Sequence, residues 1–550
     1  MILRSRALCE RYSQIRRAWP DCVQRLWPDL GEHGTISPEN FGPSSYSLSW
    51  KRRMNKLTAR TELLAGILLS GGWASLSKSQ LERTVGAAIG TSAERLWLLF
   101  AVMTATLPVQ DEVVNLVRMS RLMGSQVAFQ HVRRLARTRF IGRLGNEVRI
   151  LQGETIVDAH HTARSELATG IQKVVRKTIV EWEASHTIIL VGWDADYTRL
   201  RMLDVDEREN ALFGTRPNAR QAPRPRVTIP WNCDYILPEL ATEPDRTARI
   251  QALAQFSNNR LHVVGHDCVP LTTAETVGPG MGGAFAKNLS AVARATRVAT
   301  TSTASTAEYR GWRTMLGSIG VVGPEIQEIM LPTAAEFAES ESESESESES
   351  ESESESEGTH RRPPLLLCVG SHEPRKNHLA VLHACELLWR ERQDFELLFV
   401  GGNSWNSDAF EQQLDRMIAF GRPVRVARGL SDRQLWQAYR EATLTLFPSV
   451  NEGFGLPVAE SLAVGTPVVT SNFGSMKEIA DAGGGALLVD PRDDATLAEA
   501  IREFLTNSEL RDRLRLEAAA RTQRTWTQYA DDLWHYFDPQ VASGYAPRVP

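Results

Sequence analysis

What the chain lacks narrows its class first. No apolar run reaches the length of a bilayer span: the longest, LWLLFAVMTATLPV at 96–109, is too short and is broken at Pro108. That run is expected to form a buried helix. The N-terminus, interrupted by Arg4, Arg6, Glu10 and Arg11, does not read as a secretory signal. Cysteine is scarce. The six thiols (Cys9, Cys22, Cys233, Cys268, Cys368 and Cys385) form no CxxC pair and no framework spacing. A reduced, cytoplasmic setting is therefore expected, with the thiols packed as small apolar groups. His160 and His161 stand together without a third ligand at metal spacing, so no metal is expected. A strong charge of one sign is also missing. The net charge is −5, and removing the ten glutamates of a Ser-Glu run at 339–357 would turn it into +5. So mild a basic balance is too weak to argue for nucleic acid, and none is expected as a partner, but it suits a small anionic ligand.

What is present points to several domains, since 550 residues exceed one ordinary core. Residues 1–150 carry apolar and charged patches at helical spacing, as in LTARTELLAGILL, and are expected to be a helical extension of unknown role. Within them HVRRLARTRFIGRLGNEVR (131–149) holds six arginines. This is a solvated basic face, or a surface for peripheral contact with anionic lipid or an acidic partner. From 151 to 338 short apolar strands (ETIVDAHH 154–161, HTIILVGWD 186–194, RLHVVGHDCVP 260–270) alternate with helices at 170–182 and 286–299. The Glu-Ser alternation that follows buries nothing and repels itself, so 339–358 reads as an extended linker. A second alternation fills 359–522: strands at 363–370, 394–402, 443–449 and 466–472, with helices at 378–392 and 431–442. The latter helix opens on a capping box, Ser431 with Gln434 three residues later. Residues 523–550 are left as a C-terminal helix and tail. The pattern predicts an α/β fold of two Rossmann-like domains, with the ligand at the carboxyl ends of their strands.

The chemistry concentrates in LFPSVNEGFGLPVAESLAVGTPVVTSN, 446–472. Glu452 follows a strand, on a loop whose Gly453 and Gly455 allow close approach of backbone to ligand. Pro457 suits the first turn of a helix, and Glu460 is expected in that opening turn. Free backbone N–H groups would face a phosphate, and two carboxylates would accept hydrogen bonds from sugar hydroxyls. Taken alone, two glutamates eight apart are more often a loop charge and a helix charge. The flanking FPS, GFGLP and GTPVV make the combination specific.

That combination resembles the retaining GT-B glycosyltransferases of family four, over most of residues 154–530. VGSHEPRKNH (369–378) resembles the family's diphosphate-binding segment, LLFVGGNSW (397–405) the next strand and loop, and RTWTQYADDLWHYF (524–537) its terminal helix. TGIQKVVR (169–176) resembles a segment of members that build bacterial surface polysaccharides, and VVGHDCVPL (263–271) the strand end facing the donor sugar. The resemblance implies a GT-B fold preceded by the helical domain, with Arg375 and Lys376 on the phosphates, Glu460 on the ribose and Glu452 on the donor sugar. His266 joins Glu452, Arg375 and Lys376 as a candidate catalytic residue. Gly453, Phe454, Gly455, Leu456, Gly170 and Gly370 complete the nucleotide-sugar site.

The expected activity is metal-independent transfer of a hexose from a GDP-mannose or UDP-glucose type of donor to an acceptor hydroxyl, with retention, in glycan or polysaccharide biosynthesis. No cofactor is expected, the nucleotide sugar being a substrate. Glycan, lipid-linked sugar and protein remain open as acceptors, in the cytoplasm or at the inner face of the membrane. The rivals are another GT-B enzyme (an epimerase or phosphorylase) and a non-catalytic scaffold. A phosphorylase needs a pyridoxal-phosphate lysine, and Lys376 and Lys477 stand in no such context.

Overall fold

In a computed structural model, residues 43–165, 169–215, 226–334 and 363–537 are described. The Ser-Glu run, the tail after 537, Cys9 and Cys22 lie outside them. The chain divides into Met1–Lys56 and Leu57–Pro550. Helix α1 spans Pro43–Leu68, followed by α2 (Lys78–Ile89), α3 (Ala93–Thr104), α4 (Gln110–Met123) and α5 (Ser125–Thr138). Every residue of α3 from Leu96 to Thr104 is buried, as its unbroken apolar run requires. The arginines of 131–149 do not form one free cationic face: Arg133 pairs with Glu82 at 2.7 Å and Arg143 with Asp196 at 2.8 Å.

The first sheet is built from β1 (Val148–Gln152), β2 (Thr155–Asp158), β3 (Ile189–Trp193), β4 (Leu200–Met202), β5 (Val227–Trp231), β6 (Asp234–Leu237), β7 (Arg260–Gly265), β8 (Arg297–Thr300) and β9 (Glu325–Glu328). Its order is β1-β5-β4-β3-β2-β6-β7-β8-β9, parallel except where β4 pairs with β3 and β5. Helix α6 (His160–Arg164) follows β2, α7 (Gly170–Ser185) leads to β3, α8 (Pro244–Phe256) to β7, and α9 (Thr303–Gly317) to β9.

Three expectations are corrected here. His160 and His161 open α6 rather than extend a strand. The helix expected through 299 ends at Val292, because Val298 and Thr300 enter the buried strand β8 and β-branched side chains fit a pleated surface better than a helix. Strand β1 begins at Val148, inside the segment read as helical extension. It lies at the sheet edge, where charged Glu147 and Arg149 break up the apolar run.

The second sheet comprises β10 (Leu365–Val369), β11 (Glu396–Val400), β12 (Val424–Ala427), β13 (Leu444–Phe447), β14 (Val468–Ser471) and β15 (Ala486–Val489). All its pairings are parallel, in the order β12-β11-β10-β13-β14-β15. Helix α10 (His378–Arg390) leaves the β10 loop, α11 (Asp432–Glu441) precedes β13, α12 (Leu456–Ala463) precedes β14, and α13 (Gly474–Asp481) precedes β15. The capping box at Ser431 and Gln434 is present. These are two Rossmann-like halves in the GT-B arrangement. The last described helix, α14 (Trp526–Phe537), returns to the first half. The Trp182 indole N–H donates to Ala530 O at 2.9 Å, and Trp534 stacks on His186 with ring centroids 3.8 Å apart. One hydrophobic cluster runs from Val157 and Val264 through Phe454 and Val458 to Leu533, so the halves share a core.

Candidate functional site

The carboxyl ends of β10 and β11 approach too closely for any side chain between them. A Cβ on Gly401 would lie 1.9 Å from the Gly370 carbonyl oxygen. Gly370 itself has φ 148°, a conformation that favours glycine, with the Lys376 side chain packed over it. The chain then forms a single 3-10 turn, Pro374–Lys376, closed by Asn377 at φ 60°. The Asn377 amide donates to Pro491 O at 2.6 Å and Pro448 O at 3.2 Å. This loop thereby holds Arg375 and Lys376 in a fixed position.

Both cations meet Glu452, on the loop after β13. Arg375 Nη1 lies 2.5 Å from Glu452 Oε2, Lys376 Nζ lies 2.6 Å from Oε1, and the Ser449 hydroxyl donates to Oε1 at 2.7 Å. Glu373 receives the second Nη2 of Arg375 at 2.6 Å. Burial would raise the Glu452 pKa, but Arg375 and Lys376 outweigh it and hold the carboxyl down at about 2. The same carboxylates keep the partly buried Arg375 guanidinium firmly charged against its own desolvation.

The first half contributes His266 and Asp267, just beyond β7. The His266 Nε2 lies 2.9 Å from Pro238 O, so it donates inward to its own domain, and burial lowers its pKa. It is the His266 backbone that faces the second half: a Cβ on Gly453 would come within 2.5 Å of its carbonyl oxygen. That carbonyl accepts from Thr301 and Ser305. Gly453 O accepts in turn from Ser302 at 2.7 Å and Ser305 at 3.0 Å. Asp267 is half-buried, and its pKa is raised by desolvation against the opposing pull of Arg375.

Gly455, at φ 101°, caps the start of α12, with Pro457 in the first turn as expected. Glu460 is not in that opening turn. It is the fifth helical residue, one full turn in, because α12 starts at Leu456 rather than later. Its Oε1 lies 2.7 Å from Lys173 Nζ, on α7 of the first half, and its Oε2 accepts from the Tyr439 hydroxyl at 2.8 Å. Gly170 opens α7 opposite Leu456, whose Cδ1 would touch a Cβ there at 3.5 Å. Phe454 is buried in the shared core. The structure thus brings Arg375, Lys376, Glu452, Gly453 and the His266 backbone into one cluster, with Glu460, Leu456 and Gly170 in a second beside it.

Sequence reading missed Lys173, Tyr439, Ser302 and Ser305. Lys173 had a detectable signal: it lies three residues after Gly170, on the same face of α7. The others carry none. Elsewhere the two histidines are engaged by their own domain. His160 Nδ1 accepts from Trp193 N–H at 3.0 Å, and His161 Nε2 lies 2.9 Å from Glu243. Among the described residues no group of three or more His, Cys, Asp or Glu side chains is placed to hold a metal ion. Nor is any helix there long and apolar enough to cross a membrane.

A cavity of about 630 Å³ lies away from this cluster, between β9 and α14. Its charged groups pair among themselves, Arg524 with Asp532 at 2.6 Å and Arg297 with Glu325 at 3.4 Å. The candidate site is therefore placed by its converging side chains and not by volume. Behind it, Ile171, Glu239, His266, Asp267 and Asn288 line a cavity of about 20 Å³.

Three curated relatives put this geometry in context. Serotype-specific mannosyltransferase WbdA of Escherichia coli is 28% identical over 303 residues, 54% of this chain and 35% of the relative. O-antigen chain mannosyltransferase B of Escherichia coli is 34% identical over 147 residues, 26% of this chain and 38% of the relative. A D-inositol 3-phosphate glycosyltransferase of Corynebacterium efficiens is 33% identical over 171 residues, 30% and 40% of the two. The chain thus spans well under half the length of each. Residues 349–521, which carry Arg375, Lys376, Glu452 and Glu460, match the family described as glycosyl transferases group 1. Over that stretch the second half of this chain is similar to glycosyl transferases group 1.

Proposed function

We propose that the protein transfers a hexose from a nucleotide sugar to an acceptor hydroxyl, with retention of configuration and without a metal. The observation that carries this is the convergence of Arg375 and Lys376 on one carboxylate, Glu452, at the carboxyl ends of β10 and β13. A guanidinium and an ammonium held together in a buried cleft can neutralise a leaving diphosphate. The Glu452 carboxylate can accept from sugar hydroxyls, and Glu460, one turn into α12, from those of the ribose. Because Glu452 is already bonded to two cations and a hydroxyl, it is better placed to bind than to attack. We therefore read the transfer as front-face: the bond from the anomeric carbon to the phosphate oxygen breaks, and the acceptor oxygen bonds on the same side. The acceptor proton passes to the departing phosphate. Mannose is the hexose we favour, since two of the relatives are named as mannosyltransferases, and a growing polysaccharide the acceptor.

The test is to incubate the purified protein with GDP-mannose and UDP-glucose and follow nucleotide release. GDP-mannose is expected to be consumed, with EDTA leaving the rate nearly unchanged. Arg375→Ala is expected to lower the rate about 10²–10³-fold, the loss typical when one donor to a developing oxyanion is removed. Full loss in EDTA, restored by magnesium or manganese, overturns the metal-free reading. Failure of either sugar to turn over, together with no binding of GDP or UDP, overturns the function.

A further inference from the structure

We propose that Lys173 is a donor-binding residue supplied by the opposite half: its ammonium, which holds Glu460 in this structure, transfers to a phosphate oxygen when a nucleoside diphosphate enters. The inference rests on the nucleotide-sugar reading above. Lys173 and Glu460 lie 287 positions apart in sequence, on α7 and α12, yet their side chains meet at 2.7 Å with only a fifth and a ninth of each exposed. The ammonium also lies 5.6 Å from the centre of the Trp436 ring, which favours a cation there.

Two features make this pair an exchangeable contact. Glu460 is anchored independently on its other oxygen by Tyr439 at 2.8 Å, so it keeps its orientation when Lys173 moves. Oε1, once released, is free to accept from the ribose hydroxyls. Lys173 itself sits in the first turn of α7, whose Gly170 faces Leu456 at the start of α12. Two helix N-termini therefore open beside the ammonium, and each contributes partial positive charge. An anion entering here gains Lys173 and both helix ends while Glu460 exchanges an ammonium for hydroxyls. Glu460 keeps the Tyr439 hydroxyl and gains the ribose hydroxyls, so the exchange leaves no carboxylate buried without a donor. Because Lys173 belongs to the first half and Glu460 to the second, such a ligand would be held from both sides of the cleft.

The experiment measures binding of GDP and UDP by calorimetry, and of guanosine and uridine by ligand-observed NMR, to wild type, Lys173→Met, Lys173→Arg and Arg375→Ala. For whichever base the wild type binds, Lys173→Met is expected to weaken the diphosphate about 10–100-fold, the worth of one charged hydrogen bond. The corresponding nucleoside should bind that variant at least as well as wild type, since Glu460 is then open to the ribose. Lys173→Arg should recover most of the diphosphate affinity, and the nucleoside binding kept by Lys173→Met shows that this variant has not failed through folding. If Arg375→Ala loses the diphosphate while Lys173→Met keeps it, the nucleotide site stands and the Lys173 assignment falls. Equal weakening of diphosphate and nucleoside by Lys173→Met also overturns the assignment, because Lys173 then only holds Glu460 in place. No binding of either diphosphate to wild type removes both the site and the inference.

Discussion

Glu452 is under two opposing pressures, burial pushing its pKa up and the neighbouring cations pulling it further down, to about 2. Its folded pKa is therefore below the unfolded value of about 4.3. The stabilisation it provides is complete above that value and is lost as pH falls through about 2. Glu452→Gln should remove about 3 kcal/mol at neutral pH, because Arg375 and Lys376 would then be buried with one carboxylate fewer. Urea unfolding at pH 7 and pH 3 checks this, and the difference between wild type and variant should shrink at the lower pH. The two glutamates should also separate in binding. Glu460→Gln should weaken GDP about tenfold, while Glu452→Gln binds it at least as tightly and instead lowers kcat for the sugar donor. The reverse pattern would refute the roles. Glu452, Arg375 and Lys376 were legible because each sits in a short contiguous motif. Tyr439 carried no such signal and Lys173 only its spacing from Gly170, because they reach Glu460 from 21 and 287 positions away.

Between elements, the most specific joint is the start of α9. The backbone N–H groups of Thr303 and Ala304 donate to Glu478, on α13 of the second half, at 2.9 Å and 2.7 Å. One domain's helix is thus capped by the other domain's carboxylate, beside the Ser302 side-chain cap. Glu478→Ala should cost about 1–2 kcal/mol, the range for losing a helix cap, read as a lower urea midpoint. A shift no larger than that of an exposed-surface substitution would show the joint to be incidental. Element types were readable where the pattern was long. The capped helix α11, the buried strands β10 and β13 and the proline-started α12 all lie where their residues place them. The first sheet was harder to read. β4 is only three residues long and β9 is an edge strand with two exposed positions. Strands so short or half-solvated carry too few apolar residues to show a period of two.

At the scale of the molecule, a cavity of about 20 Å³ beside His266 and Asp267 is far below the roughly 300 Å³ at which small-molecule pockets begin. For a hexose to enter there, as the proposed function requires, the halves would have to part. Trp405, donating to Thr276 O at 3.1 Å, and Asn451, donating to Thr272 at 3.1 Å, are the contacts such a movement would break at the rim. Dyes placed at the exposed positions Val205 and Leu516, one in each half, should report two distances by single-molecule energy transfer. GDP should shift their populations, whereas one distance, unchanged by GDP, would rule the movement out. The return of α14 to the first half has a different consequence, which concerns synthesis. The helix that covers Trp182 is made only after the whole second half, so the first half cannot finish folding when its own segment is complete. It must wait, with Trp182 and Ile179 uncovered, through the making of the whole second half. A gene cut at the Ser-Glu run would therefore yield an upstream product without the helix that covers Trp182, and that product would regain the cover only by pairing with the downstream one.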